Sequence, residues 1–99
     1  MCGILGIYNL DGKAVDENVI VKMGNQISHR GPDGEGLFVQ NNIGFIHKRL
    51  AILDPSDNGQ QPMYSKDGKW IVIFNGCIYN FKELREELIE KGHTFNSES

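Results

Sequence analysis

Residues 36–50 read Gly-Leu-Phe-Val-Gln-Asn-Asn-Ile-Gly-Phe-Ile-His-Lys-Arg-Leu, two strand-like runs that meet at Asn41-Asn42. Because asparagine tolerates the positive φ of a two-residue turn, this stretch predicts a β-hairpin with strands over 36–40 and 43–50. Outward from the hairpin, a second turn at 66–69 leads into an apolar run that predicts a strand over 70–75. A further apolar run at 4–8 predicts a buried strand near the start of the chain.

Two segments have the period of an amphipathic helix. The first begins at Asp16, a favoured N-cap residue, and its apolar positions share one face: Val19, Ile20, Met23 and Ile27. The second begins at Asn80, has Glu83 three residues later as in a capping box, and stops at Gly92. Its apolar stripe consists of Phe81, Leu84, Leu88 and Ile89. Strands and hairpins flanked by two helices predict an α+β sandwich.

The length and composition bound the class of protein. The 99 residues suit one small domain or part of a larger one. With a net charge of −3, the chain gives no electrostatic reason to expect nucleic acid or an anionic membrane as a partner. No apolar run approaches the ~20 residues of a membrane span, and no secretory signal is recognisable at the start. The two cysteines lack zinc or disulfide-framework spacing, so we expect a reduced, cytoplasmic chain.

Cys2 is the first candidate for chemistry, because it follows Met1 directly. Removal of Met1 would leave Cys2 with both a thiol and a free α-amino group. Such an amine titrates near ~8 in model peptides, so it can act as the base for its own side chain. A nucleophile with a built-in base is a known solution for attacking amides. The alternative is a cysteine that is buried as a small hydrophobic residue.

Amide hydrolysis also needs donors for an oxyanion and a group that holds the substrate. Asn75-Gly76 follows an apolar run, so a side-chain amide and an adjacent backbone N–H can converge where negative charge develops; an ordinary β-turn is the alternative. Arg49, flanked by apolar sequence, is a candidate half-buried guanidinium that grips a carboxylate, and a surface arginine is the alternative. His47 and His93 have no metal-ligand spacing, and we interpret both as structural.

Five blocks of sequence, in order, carry a resemblance that spans essentially the whole chain. The blocks are Met1-Cys2-Gly3-Ile4, Arg30-Gly31-Pro32-Asp33, Arg49-Leu50-Ala51-Ile52-Leu53-Asp54, Gln61-Pro62 and Asn75-Gly76-Cys77-Ile78-Tyr79-Asn80. Together they resemble the class II glutamine amidotransferase domain, and more narrowly that of the glutamine-hydrolysing asparagine synthetases. The Arg-Gly-Pro-Asp block favours that family over the phosphoribosyl-pyrophosphate amidotransferases and the glucosamine-6-phosphate synthases.

The resemblance implies an N-terminal-nucleophile hydrolase fold, an αββα sandwich of which residues 1–99 would form about half. It implies Cys2 as the nucleophile, with Asn75 and Gly76 forming the oxyanion hole. Arg49 would hold the α-carboxylate of L-glutamine. The substrate-binding residues that the resemblance predicts are Arg49, Leu50, Ala51, Ile52, Leu53, Asn75, Gly76 and Cys77.

The implied reaction is attack of the Cys2 thiolate on the side-chain amide of glutamine, release of ammonia and hydrolysis of a γ-glutamyl thioester. The ammonia would pass to a synthetase domain, in cis or in trans, that uses ATP and Mg²⁺ to activate aspartate. We expect that domain to be absent from these residues, so neither a cofactor nor a metal is expected here.

Two departures from the family pattern concern the substrate's α-ammonium. The family has a glutamate where this chain has Cys77, and a thiol accepts hydrogen bonds poorly. The family's aspartate falls just after Ser99, so we expect a truncated chain. These departures favour a second hypothesis, a non-catalytic or regulatory domain that has kept the fold and lost turnover. A third hypothesis is a redox protein that uses Cys2 and Cys77.

Overall fold

The computed structural model describes residues 2–50 and 59–95, and their fold is α+β, as predicted. The three longest strands form an antiparallel sheet in the order β1-β3-β2, and two short strands form a second antiparallel sheet, β4-β5. In chain order the elements are β1 (Gly3–Tyr8), α1 (Glu17–Asn25), a 3-10 helix (Ser28–Arg30), β2 (Gly34–Gln40), β3 (Ile43–Arg49), β4 (Met63–Tyr64), β5 (Ile71–Val72) and α2 (Phe81–Glu90).

The predicted hairpin is confirmed and forms the centre of the larger sheet. Gln40 pairs with Ile43 across the turn, and Asn41 has a φ of 53°, in the left-handed region that asparagine tolerates. β3 also pairs with β1 along its other edge, with Gly3 opposite Lys48 and Tyr8 opposite Ile43. The central strand is therefore hydrogen-bonded on both sides.

Helix α1 begins as predicted but presents a different face to the sheet. The Asp16 side chain accepts a hydrogen bond from the Asn18 N–H at 2.9 Å, which is the expected N-cap. The helix ends at Asn25, so the expected extension to Ile27 is wrong. Its buried residues are Ile20 and Gly24. Two of the apolar positions predicted to be buried are largely exposed: Val19 at 48% and Met23 at 41%.

Close approach at Gly24 explains this difference. A Cβ at Gly24 would lie 2.6 Å from Cδ1 of Ile46, so a side chain there would force the helix away from β3. The contact therefore runs through Ile20 and Gly24, not through the larger residues beside them. The buried core consists of Val15, Ile20 and Ile46, with Leu5, Ile7 and Val39 packed against it.

The second sheet covers the opposite face of the larger one. A Cβ at Gly36 of β2 would lie 1.7 Å from the Gln61 carbonyl oxygen, so the chain just before β4 presses directly on β2. The rings of Phe38 and Tyr64 meet edge to face, with centroids 6.2 Å apart. The strand predicted over 70–75 is paired only at Ile71–Val72. Beyond that pair, the Phe74 N–H donates to the Gln61 side chain, so the chain bonds to a side chain in place of a ladder partner.

Helix α2 has the predicted end and lacks the predicted side-chain cap. The His93 N–H donates to the Leu88 carbonyl and the Gly92 N–H to the Ile89 carbonyl, both at 3.0 Å, with Gly92 at a φ of 93°. This is a Schellman motif. Asn80 occupies the N-cap position, but its side chain makes no capping hydrogen bond, so the expected capping box is wrong.

The layers follow from these contacts. α1 covers one face of the three-stranded sheet, β4 and β5 lie over the other, and α2 buries none of its residues. Because α2 does not close a fourth layer, the complete αββα sandwich stays a prediction. Neither helix among the described residues is long and apolar enough to cross a membrane.

Candidate active site

Cys2 lies at one end of the sheet, where β1 begins and β3 ends. Gly3 pairs with Lys48, which brings Cys2 beside the end of β3. The Leu50 backbone N–H donates to Cys2 Sγ at 3.3 Å, and Sγ lies 3.7 Å from the Leu50 carbonyl oxygen. A backbone N–H aimed at sulfur stabilises negative charge there. Cys2 is half-buried, so its side chain is both held and accessible.

The segment after α1 holds the backbone of Cys2. Arg30 donates from Nε to the Cys2 carbonyl at 3.2 Å. The next residue, Gly31, packs directly on β3, where a Cβ would lie 2.2 Å from the Lys48 carbonyl oxygen. A depression of about 460 Å³ adjoins this contact. Its lining residues are His29, Arg30, Pro32 and Leu50.

Arg49, the predicted carboxylate ligand, ends β3 beside Cys2. It is 8% exposed, so it is buried more deeply than the half-buried guanidinium we expected. Its backbone carbonyl accepts a hydrogen bond from the Asp33 N–H at 2.9 Å. Since alternate residues of a strand share a face, Arg49 lies on the same face as His47 and opposite to Ile46. We call the face with His47 and Arg49 the site face, and the face with Ile46 the core face.

His47 is the most buried polar side chain of the site face, at 1% exposure. Neither of its ring nitrogens has a hydrogen-bond partner among the described residues. Burial lowers the pKa of His47 below its ordinary value of 6.5, and the neighbouring Arg49 charge lowers it further. The Phe74 backbone beside the ring works in the opposite direction, although it does not reach hydrogen-bond geometry. The imidazole is therefore held neutral.

The predicted oxyanion donors lie just after β5. We call β4, β5 and the residues that directly precede β4 or follow β5 the second layer. Asn75 is half-buried, whereas Gly76 and Cys77 are exposed. The segment meets the site face through Phe74, whose N–H donates to Gln61 Oε1 at 2.6 Å. Across the described residues, no hydrogen bond joins this segment to Cys2. The structure thus brings Cys2, Arg49 and Leu50 together and leaves residues 75–77 on the opposing layer.

Three of the predicted substrate-binding residues, Ala51, Ile52 and Leu53, lie outside the described residues. Conversely, the structure adds contacts that the sequence analysis missed: Arg30 on the Cys2 carbonyl, His47 beside Phe74, and Gln61 on the Phe74 N–H. The alternation of side chains along β3 could have indicated His47, because a residue two positions before Arg49 lies on the same face of the strand. Spacing gave no signal for Arg30 or Gln61. Within residues 2–50 and 59–95, no group of three or more potential metal ligands comes together.

Comparison with known proteins agrees with the motifs. The family model of the glutamine amidotransferase domain matches residues 1–99. The chain therefore belongs to the glutamine amidotransferase domain family.

Within this family, the chain is similar to glutamine-hydrolysing asparagine synthetases. Asparagine synthetase [glutamine-hydrolyzing] 1 of Bacillus subtilis is 47% identical across 100% of this chain, which corresponds to 16% of the relative. Asparagine synthetase 2 of Arabidopsis thaliana is 41% identical across 100% of the chain and 17% of the relative. A putative asparagine synthetase of Methanocaldococcus jannaschii is 45% identical across 88% of the chain and 20% of the relative. The chain thus spans a small part of the length of each relative, and the resemblance predicted from the motifs is confirmed.

Proposed function

We propose that the chain is the glutaminase part of an asparagine synthetase-like enzyme, which hydrolyses L-glutamine through Cys2 and supplies ammonia for asparagine formation. The observation that carries this proposal is the position of Cys2 Sγ, half-buried beside Arg49 and 3.3 Å from the Leu50 N–H. A nucleophile, a donor that stabilises its negative charge and a buried cation for a carboxylate thus lie at one end of the sheet. Membership of the glutamine amidotransferase domain family supports the same activity.

The nucleophile is activated by its own residue. Once Met1 is removed, the free α-amino group of Cys2 takes the thiol proton. The thiolate attacks the side-chain carbonyl carbon of glutamine, and the resulting oxyanion is stabilised by the Asn75 side-chain amide and the Gly76 N–H. The ammonium group of Cys2 returns its proton to the leaving nitrogen, and ammonia departs. Water then cleaves the γ-glutamyl thioester, so glutamine and water give glutamate and ammonia.

Arg49 supplies the hold on the substrate. Its planar guanidinium can bind the α-carboxylate of glutamine through two parallel hydrogen bonds. Because Arg49 is only 8% exposed, little water competes for that pair. The backbone over Leu50–Leu53 completes the pocket in this proposal, with Cys77 near the α-ammonium.

The hydrolysis itself needs no cofactor. ATP and Mg²⁺ act in a synthetase domain, supplied in cis or in trans, where aspartate is activated to receive the ammonia. The cytoplasm, where glutamine and ATP are both present, is the compartment that this proposal requires.

A second candidate is a domain that has kept the fold and lost turnover. Two observations favour it: residues 75–77 are not bonded to Cys2 across the described residues, and Cys77 presents a thiol where the family has a carboxylate. Glutamine turnover separates the two candidates directly.

The experiment measures glutamate release from glutamine by the purified protein, its Cys2→Ala variant and a Cys77→Ala control. Intact-protein mass spectrometry accompanies it and should show loss of one methionine. We expect Cys2→Ala to lower turnover at least about 1000-fold, because the variant lacks the sulfur on which the proposed thioester forms. Cys77→Ala should keep turnover within a few fold.

Retention of Met1 would overturn the proposed mechanism, because the amine would then be an amide without basicity. Absence of turnover in a protein that has lost Met1 would favour the non-catalytic domain.

A further inference from the structure

His47 has no role in the mechanism above, yet it lies at the centre of the site face. On β3 it stands between Phe45 and Arg49, and its cross-strand partners are Ile4 and Gly36. Directly opposite residues of an antiparallel pair share a face, so these two positions flank the imidazole. One flank is apolar and the other has no side chain. The ring therefore has no polar partner within its own sheet.

The second layer covers His47 on the site face. The Gln61 carbonyl presses on Gly36, and the Gln61 side chain accepts the Phe74 N–H at 2.6 Å. Phe74 in turn lies beside the His47 ring. Gln61 and His47 thus meet the same residue, Phe74, one through its N–H and the other from the sheet below. Asn75 and Gly76 follow immediately in the chain.

The two nitrogens of His47 are the unusual feature. Buried polar atoms are almost always hydrogen-bonded, and leaving one unpaired costs about 1–3 kcal/mol. Both His47 nitrogens are buried without a partner among the described residues, although a backbone carbonyl is the natural acceptor for a neutral imidazole N–H. A small movement of Phe74 toward β3 would satisfy the ring, and Asn75 and Gly76, which follow Phe74 directly, would move with it.

We propose that His47 is a positioning residue: its neutral imidazole donates to the Phe74 carbonyl in the substrate-bound state and so draws the Asn75-Gly76 donors onto the site face. This inference rests on the proposed function, because it assigns the oxyanion donors to Asn75 and Gly76. Protonation of His47 is opposed here, because it places a second cation beside Arg49 in a buried site, whereas the Phe74 carbonyl accepts a hydrogen bond from either form of the ring.

Within residues 2–50 and 59–95, few charged groups surround the His47 ring. On β3, Arg49 shares the site face, whereas Lys48 points to the core face and pairs with Glu35 at 2.7 Å. β1 contributes Ile4, β2 contributes Gly36, and the second layer contributes Gln61 and Phe74, none of which titrates. In this described part of the chain, Arg49 is therefore the charge that opposes protonation of His47.

The kinetic test compares His47→Gln, which keeps an N–H donor, with His47→Phe, which keeps the bulk and removes the donor. The matched control is His93→Gln, at an exposed histidine just beyond the end of α2. We expect His47→Phe to lower kcat for glutamine roughly 100-fold with KM changed less than about 3-fold, since a misplacement of about 1 Å costs that much. His47→Gln should recover part of the loss. The rate of Cys2 alkylation by iodoacetamide, a reaction with no oxyanion, should stay within about 2-fold of wild type.

A role in core structure alone predicts a different result. His47→Phe would then reduce turnover and alkylation together, with a lower melting temperature, and His47→Gln would rescue nothing. That outcome would overturn the proposal.

A second measurement survives failure of the glutaminase proposal. In amide NMR spectra of the Cys2→Ala protein saturated with L-glutamine, the Asn75 and Gly76 signals should shift on acidification with the same midpoint as the His47 ring, and adding His47→Gln should abolish that shift. Amide signals at 75 and 76 that stay still while His47 titrates would overturn the positioning role, whether or not the protein hydrolyses glutamine.

Discussion

The two faces of the three-stranded sheet are made by the same strands, yet one face is apolar and the other carries buried polar side chains. On the core face, Ile46 is fully buried against α1, and the contact is hydrocarbon on both sides. On the site face, the next residues along β3 are His47 and Arg49, both buried and both polar. The covering layer meets this face at Gly36, where the Gln61 carbonyl presses on the glycine, and at the Phe38 ring. The alternation of one strand therefore separates the residues that stabilise the fold from those that carry the proposed chemistry.

The difference has an energetic consequence. Burial of the Ile46 side chain contributes roughly 1.5–3 kcal/mol. The two ring nitrogens of His47, which have no partner in the described part of the chain, cost about the same or more. Apolar burial on the core face thus offsets the cost of the buried polar groups on the site face, as is common where function conflicts with packing.

The largest expected effect comes from breaking the core face. Ile46→Ala should lower the free energy of unfolding by about 2–5 kcal/mol, because the side chain is fully buried and α1 cannot follow the retreating surface. Urea denaturation monitored by circular dichroism gives this value. In the folded fraction, alkylation of Cys2 should proceed at the wild-type rate. A large drop in alkylation with little loss of stability would show that the two faces are not separable.

The next effect tests whether residues 75–77 belong with the site face. A carboxylate that faces the substrate ammonium makes a charge-assisted hydrogen bond of about 1.5–3 kcal/mol. Cys77→Glu should therefore lower KM for glutamine roughly 10- to 100-fold, using about 1.4 kcal/mol per decade, with a smaller change in kcat. Glutamate release measured against glutamine concentration checks it. The melting temperature should hardly change, since Cys77 is exposed. An unchanged kcat/KM would place Cys77 outside the ammonium site.

A glycine pair on the site face gives a smaller effect with an internal control. Gly36→Ala places a Cβ 1.7 Å from the Gln61 carbonyl oxygen. The second layer must therefore shift, at a cost of about 1–3 kcal/mol in the free energy of unfolding. At Gly6, on the same face of the sheet in β1, an alanine Cβ would make ordinary contacts with the Phe45 ring at 3.5 Å and the Gly44 carbonyl oxygen at 3.8 Å, so Gly6→Ala should change stability by less than about 1 kcal/mol. Thermal melts of both variants make the comparison. Equal destabilisation by the two substitutions would contradict the close approach at Gly36.

The smallest effect is the pH dependence of stability. The folded state holds the pKa of His47 below its unfolded value of 6.5, so below that pH the unfolded chain binds the proton first. Wild type should therefore lose unfolding free energy relative to His47→Gln as the pH falls through and below 6.5, and the two should run parallel above it. Urea midpoints over a pH series measure the difference. Parallel curves at every pH would mean that His47 titrates alike in both states.

The sequence predicted the parts of the fold that local chemistry determines. The Asn41-Asn42 turn, the Asp16 cap and the Gly92 stop each depend on one or two residues, and all three are present. Predictions that depended on distant contacts did less well. The face that α1 buries was decided by a close approach at Gly24, and the strand after residue 70 was cut short by a side chain from residue 61.

The candidate site divides in the same way. Position in the chain was enough to suggest Cys2, and apolar flanks were enough to suggest burial of Arg49, because both signals are local. The Arg30 contact with the Cys2 carbonyl joins residues 28 positions apart and has no local signature. The roles of Asn75, Gly76 and Cys77 stay predictions, since each depends on how the second layer closes over the sheet.

The partner of the Cys2 sulfur has a further consequence for how this site tolerates mutation. Among the described residues, the two groups that meet Sγ belong to the main chain of Leu50, so these contacts use no side-chain atom of residue 50. Alanine substitution at position 50 would keep the N–H and the carbonyl that meet Sγ. Proline is the exception among the natural residues, because it alone has no N–H to offer. The environment of the nucleophile is thus set by the path of the backbone at residue 50, and proline is the substitution that removes the donor itself.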